Sequence, residues 1–207
     1  MFPRRAARAA RAARTSDGLI GFTQEKPPAG GFFLSIGPML IALLLISVFP
    51  LLMIWAGASD VVSLTIPNAL NATILIVFVV VAPFVGIMGP LLGWHLAAGG
   101  GVLLLCFGLF ALNVIGGGDA KMAGAVALWL GPTLLLDWLL WTAVLGGVLA
   151  LLILLVRSVR LPQSSPIWLA RLHDKKNGLP YGVAIGGAAL LVYPHSSIFD
   201  AIMKIYP

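Results

Sequence analysis

The sequence IGGGDAK, residues 115–121, places two charged side chains between two long apolar runs. Residues 103–113 before it and residues 123–136 after it contain no charged residue. Ionisable side chains beside membrane-spanning segments are energetically unfavourable, so Asp119 and Lys121 mark a candidate functional site. The three glycines allow unusual backbone dihedrals and the close approach of another chain.

The composition indicates a polytopic membrane protein. Of the 207 residues, 60% are hydrophobic and only 10% are charged, and the mean hydropathy is +1.03. Soluble domains carry roughly 25% charged residues. The single cysteine, Cys106, excludes a disulfide framework and a CxxC zinc site. The net charge of +6 comes mainly from residues 4–14 and 157–176, and such clusters indicate membrane topology or anionic lipid rather than nucleic acid.

The chain divides into three predicted segments. Residues 1–31 form a basic tail with five arginines and no apolar core, which favours disorder or a surface helix over a signal peptide. Residues 32–195 form a membrane domain. Residues 196–207 form an amphipathic segment, because its apolar residues oppose Asp200 and Lys204, and we expect it to be an interfacial helix that serves only as an anchor.

Six apolar stretches predict six membrane-spanning helices, since backbone polar groups must be paired inside a bilayer. The sequence is therefore predicted to fold as an all-α membrane protein with a C-terminal interfacial helix. Trp129, Trp138 and Trp141 flank a Gly131-Pro132 turn, in positions that favour a membrane interface. The spans are placed near residues 34–57, 69–89, 91–113, 120–136, 137–156 and 180–195.

Charge in the loop at residues 157–179 predicts the topology. This loop carries five basic side chains, and the positive-inside rule places it in the cytoplasm. Counting spans backwards places Asp119 and Asp60 at the same cytoplasmic face and Asp137 at the opposite one. The same count places residues 1–31 outside, against the rule, so the side of the tail stays open.

Two carboxylates at one membrane face can do acid–base chemistry. Asp60 is the only acidic residue between Glu25 and Asp119, and it is followed by Ile66-Pro67-Asn68, in which the proline suits the first turn of a helix. Two carboxylates held close together cannot both ionise easily, so they share a proton. The ionised member can then activate water and the protonated member can donate to a peptide carbonyl, with no metal or cofactor.

Spacing alone leaves two other interpretations of the acid pair open. A small proton-coupled transporter would also carry two intramembrane acids, here Asp60 and Asp119. Alternatively, each acid could cap a helix or lie among the lipid headgroups, in a protein that assists assembly without catalysis.

Three motifs resemble the prepilin peptidase family of GxGD membrane aspartic proteases, and most closely its short members found with Flp-type (tight adherence) pili. The first is Asp60 with Ile66-Pro67-Asn68. The second is the GGGDAK sequence at residues 116–121. The third is the LPYGVAI sequence at residues 179–185, which opens the last span. The resemblance covers roughly residues 35–195.

The resemblance implies a leader peptidase of the cytoplasmic (inner) membrane that cuts type IV prepilins at its cytoplasmic face. Asp60 and Asp119 carry over as the catalytic pair. The expected partners are a membrane-helical prepilin and membrane lipids, with no nucleic acid, cofactor or metal. Supporting or substrate-binding positions are Gly116, Gly118, Lys121, Asn68 and Pro67.

Two departures from the family qualify this expectation. Bifunctional relatives carry a cysteine-rich domain and methylate the mature pilin, and a chain with one cysteine is not expected to do so. Relatives often have basic residues between the first aspartate and the IPN motif. This chain has the uncharged sequence VVSLT at residues 61–65, which changes how the loop meets the substrate or headgroups.

Overall fold

The computed structural model describes residues 31–162 and 164–205, with side chains from residue 37 onwards. Within these ranges every regular element is helical, which confirms the predicted all-α fold. The basic tail predicted at residues 1–31 lies outside the described residues, apart from Gly31. The α-helices are α1 (Gly31–Ser63), α2 (Asn68–Phe84), α3 (Gly89–Ala111), α4 (Gly117–Leu130), α5 (Leu135–Ser158), α6 (Ile167–His173), α7 (Tyr181–Val192) and α8 (Ser197–Ile205).

The described residues from Gly37 onwards form one compact unit. In this unit, three helical segments have the length and composition to cross a membrane: Gly37–Ser63, Gly89–Ala111 and Pro132–Ser158. A fourth candidate combines α7 and its 3-10 extension with α8 across a 45° bend. Each of the six predicted spans coincides with a helix, but the number that cross the membrane stays a prediction.

Helix α4 is shorter than the predicted span at residues 120–136. It has 14 residues, which extend roughly 21 Å at 1.5 Å per residue, less than the hydrocarbon thickness. It ends at Gly131, whose φ of 70° is readily adopted only by glycine, and a 3-10 turn at Pro132–Leu134 leads into α5. Ten consecutive residues from 122 to 131 are buried, so α4 is enclosed by protein.

Helix α4 is central because it packs against α2, α3, α7 and α8. Its closest neighbour is α3, where two glycines face each other. A Cβ on Gly99 would lie 2.8 Å from Cβ of Leu128, and one on Gly124 would lie 2.8 Å from Cβ of Leu103. Only glycine therefore permits this helix spacing, as expected for membrane helices that pack through small residues.

Two tryptophans predicted at a membrane interface lie instead in the core. Trp129 is fully buried and donates from Nε1 to the carbonyl of Ile74 at 3.0 Å, while Trp138 donates to the carbonyl of Ile185 at 3.2 Å. Of the three tryptophans beside the turn, Trp141 alone is exposed. The indole N–H groups have partners inside the protein, which removes the need for an aqueous interface.

The C-terminal helix α8 also contributes to the core, contrary to its expected role as only an anchor. Ile198 and Ile202 are completely buried, while Met203 and Ile205 are about half exposed. One face of α8 therefore packs inside the protein, against α4 and the preceding turn. The amphipathic pattern was correct, but most of the apolar face meets protein.

Candidate active site

Asp60 lies in the last turn of α1 and is only 4% exposed. Its Oδ2 accepts a 2.7 Å hydrogen bond from the backbone N–H of Gly182, in the first turn of α7. The first N–H groups of a helix have no partner within that helix, so they are available to an incoming carboxylate. The start of α7 thereby fixes the end of α1.

Glycine is the only residue type that fits at position 182 without a shift of the neighbouring atoms. A Cβ at this position would lie 2.8 Å from Oδ2 of Asp60 and 2.8 Å from Cδ1 of Ile66. Gly182 belongs to the LPYGVAI motif, but the sequence alone assigned it no role. The available signal was a glycine in the first turn of a helix, which costs stability unless a neighbour must approach closely.

Asp119 lies in the first turn of α4. A negative charge there is favoured by the helix dipole and by unpaired backbone N–H groups. A Cβ on Gly116, the residue that caps α4, would lie 3.0 Å from Oδ2 of Asp119. The glycines before Asp119 therefore leave room for its carboxylate to fold back over the helix start.

Both carboxylates line one cavity of about 240 Å³. The cavity is large enough for water and for an extended segment of peptide backbone. Its other lining residues are Leu64, Thr65, Ile66, Asn68, Gly116, Gly117, Gly118 and Leu179, and they come from the α1–α2 loop, the start of α4 and the loop before α7.

The loop between α1 and α2 packs directly on the glycine motif. A Cβ on Gly118 would lie 3.3 Å from both Cβ and the carbonyl oxygen of Ile66, so a larger residue would push this loop away. Nδ2 of Asn71 donates to the carbonyl of Gly118 at 3.3 Å. Nζ of Lys121 donates to Oδ1 of Asn68 at 2.7 Å. These contacts connect the beginnings of α2 and α4.

The structure brings most of the predicted site residues together. Asp60, Asp119, Gly116, Gly118 and Asn68 line the cavity that holds both carboxylates. Pro67 does not line it; this proline caps α2, and its carbonyl accepts the N–H groups of residues 70 and 71. Lys121 lies at the edge of a neighbouring cavity and is exposed. Pro67 and Lys121 thus shape the site from outside its cavity.

Two features of the site had no counterpart in the sequence reasoning. Asn71 is 4% exposed and holds the Gly118 carbonyl, although it lies outside the IPN motif. Leu64 has a positive φ of 53°, and its N–H donates to the carbonyl of Asp60 at 2.8 Å. A non-glycine residue in this conformation is uncommon, so the loop turns sharply behind Asp60.

Asp137 does not belong to this site. It lines a separate cavity with His195 and Trp141, and its place at the opposite membrane face stays a prediction. Among the described residues, no group of three or more histidine, cysteine, aspartate or glutamate side chains is arranged to hold a metal ion.

Comparisons with known proteins add an independent finding. No curated protein and no solved structure gives a significant match to the chain. The model of the type IV leader peptidase family matches residues 47–151, which is half of the chain and includes both Asp60 and Asp119. Gly182 lies beyond the matched range. The chain belongs to the type IV leader peptidase family.

Proposed function

We propose that this protein is a membrane aspartic endopeptidase that removes the leader from type IV prepilins of the Flp type at the cytoplasmic membrane face. One observation carries the proposal: the carboxylates of Asp60 and Asp119 line a single cavity although 59 positions separate them in the chain. The family supplies the reaction class, and the cavity supplies the acid pair that this reaction needs.

The two carboxylates divide the chemistry between them. The ionised member takes a proton from water as the water oxygen attacks the scissile carbonyl carbon, and the protonated member donates to the carbonyl oxygen. When the tetrahedral gem-diol collapses, the C–N bond breaks and the leaving amine takes a proton from the acid that received it from water. The other carboxylate takes back a proton from the hydroxyl that becomes the new carbonyl oxygen. The pair returns to its starting state with one shared proton.

Helix ends favour one assignment of the roles. Asp119 lies at the positive end of α4, where a negative charge is favoured, whereas Asp60 lies between the negative end of α1 and the positive start of α7, whose effects oppose each other. Asp119 is therefore the general base in this proposal and Asp60 the general acid. The N–H of Gly182 orients the Asp60 carboxyl in either state.

The Flp-type assignment rests on the resemblance of the motifs. A chain with one cysteine is not expected to methylate the mature pilin. A proton-coupled transporter, the alternative use of two acids, is disfavoured because both carboxylates lie at helix ends around one cavity rather than along a path across the bilayer.

The test is co-expression with a prepilin, followed by measurement of the precursor's size. Asp60→Asn and Asp119→Asn should each reduce cleavage by at least about a thousandfold while the protein stays in the membrane. Asp137→Asn is the matched control, since it changes the same chemical group in another cavity, and it should cut normally. Normal cleavage by Asp119→Asn, or no cleavage by the unmodified protein, would contradict the proposal.

A further inference from the structure

A long furrow lies between α2 and α3, with α4 as its floor. Two cavities form it, of about 410 Å³ and about 670 Å³, and they share Leu75, Leu96 and Leu128 as lining residues. Both α2 and α3 pack extensively on α4, whereas they meet each other only sparsely, as at the rings of Phe78 and His95, whose centroids are 6.0 Å apart. The furrow therefore extends from the beginning of α2 to its end near Pro83.

The furrow has apolar walls and a floor of small residues. Leu75, Leu96 and Leu103 form the walls and are each about half exposed at the protein surface. Gly100 lines the furrow, and a Cβ added there would meet no atom within 4 Å. Gly124 lies on the floor. Small residues of this kind let another membrane helix approach closely.

One end of the furrow reaches the active site. Asn68 lines both the furrow and the cavity that contains Asp60 and Asp119. Polar residues lie only at this end, where Lys121 donates to Asn68, while the remainder is lined by apolar side chains and glycine. A chain that lay in the furrow would thus leave it beside the two carboxylates.

An unpartnered acceptor lies in the same place. Asn71 lines the furrow and is 4% exposed, and its Oδ1 has no hydrogen-bond partner among the described residues. Its Nδ2 is held by the carbonyl of Gly118, which fixes the orientation of the amide. A buried acceptor without a partner costs free energy, and this one lies where α2 meets the start of α4 beside the active site.

We propose that this furrow seats the membrane-spanning segment of the precursor, so that the scissile bond adjoins this segment at the end of the furrow beside Asn68. This inference rests on the proposed function. The 17 residues of α2 extend roughly 25 Å at 1.5 Å per residue, close to the thickness of the hydrocarbon core. The cavity volumes fit the side chains of one helix face.

Cross-linking tests the seat directly. The background protein carries Asp119→Asn, which should prevent cleavage, and Cys106→Ala, which removes the native thiol. In this background, Gly100→Cys places a single thiol in the furrow. Gly101→Cys is the matched control, because Gly101 is equally open but does not line the furrow. The probe is a prepilin with one cysteine moved along its apolar segment, reconstituted with the protein in vesicles. We expect Gly100→Cys to form a disulfide with the prepilin, and Gly101→Cys to give a disulfide yield at least about tenfold lower. Equal yields from the two variants would overturn the proposal.

Steady-state cleavage gives a second readout. Gly100→Leu fills the furrow, so KM for the same prepilin should rise about tenfold with little change in kcat, while Gly101→Leu should match the unmodified protein. If the unmodified protein leaves the prepilin uncut, the proposed function itself is wrong. If it cuts and both leucine variants cut equally well, the furrow has another occupant, such as lipid, and only this inference is overturned.

Discussion

At the scale of single residues, Gly182 controls the position of Asp60. Its N–H donates to the carboxylate across 122 residues of sequence, and its missing side chain leaves the space that the carboxylate occupies. Asp60 is thus oriented by backbone, which cannot rotate away as a side chain can. The expected consequence is that a single methyl group at position 182 disturbs catalysis.

Gly182→Ala should lower kcat by about a hundredfold, because a Cβ 2.8 Å from Oδ2 of Asp60 must displace the carboxylate. Gly178→Ala is the control, four residues earlier, where a Cβ meets nothing within 4 Å. Cleavage rates of purified protein in vesicles provide the measurement. Equal rates for the two variants would mean that the Gly182 contact does not position the acid.

The acid pair also predicts a pH dependence. Catalysis needs one ionised and one protonated carboxyl, so kcat should fall at low pH, where both are protonated, and at high pH, where both are ionised. The check is a bell-shaped profile of cleavage rate against pH. The Asp137→Asn variant, which changes a carboxyl in a different cavity, should keep both the acidic and the basic limb of this profile at the same pH. A cleavage rate that only rises with pH would exclude a shared proton.

At the scale of elements, the contact between α3 and α4 positions Asp119. The two helices approach so closely at Gly99 and Gly124 that each glycine touches the backbone of the other helix. Because α4 also forms the floor of the furrow, its distance from α3 sets both the width of the furrow and the place of Asp119. Helix spacing and catalysis are therefore coupled.

Gly99→Ala should destabilise the protein by about 1–3 kcal/mol, since its Cβ would lie 3.1 Å from the backbone of α4 and force the helices apart. Gly101→Ala, in open space two residues away, should be neutral or stabilising by up to ~1 kcal/mol through helix propensity. Thermal unfolding in detergent measures both. A stable Gly99→Ala protein would show that this crossing is loosely packed.

At the scale of the whole molecule, the active site and the basic loop should share one side of the membrane. The cavity with both carboxylates includes Leu179, the last residue of this loop, and Asp137 lies in another cavity. The positive-inside rule for the loop then predicts that the active site faces the cytoplasm.

Cysteine labelling checks this topology. In a Cys106→Ala protein, Leu112→Cys and Lys175→Cys should react with an impermeant maleimide from the cytoplasmic side only, and Met88→Cys from the opposite side only. All three positions are exposed, so access to the reagent depends on the membrane alone. Labelling of Leu112→Cys and Met88→Cys from the same side would contradict the proposed topology.

The sequence by itself determined the class of fold and the partners in the site. An apolar composition requires helices, and counting them placed Asp60 and Asp119 at one face. The sequence motifs added Gly116, Gly118 and Asn68 to the predicted site. Such motifs are short stretches of sequence, so they can be recognised without knowing how the helices pack. The predicted ends of the helices were less accurate, because α1 continues to Ser63 and α4 ends at Leu130.

Only the tertiary structure decided which distant groups meet. The bond from Gly182 to Asp60, the burial of Trp129 and Trp138, the inward face of α8 and the furrow beside Asn71 all depend on how closely helices approach. That distance is fixed by pairs of small residues, such as Gly99 and Gly124, on different helices. Hydropathy identifies what enters the membrane, but close contacts between helices decide what lies beside Asp119.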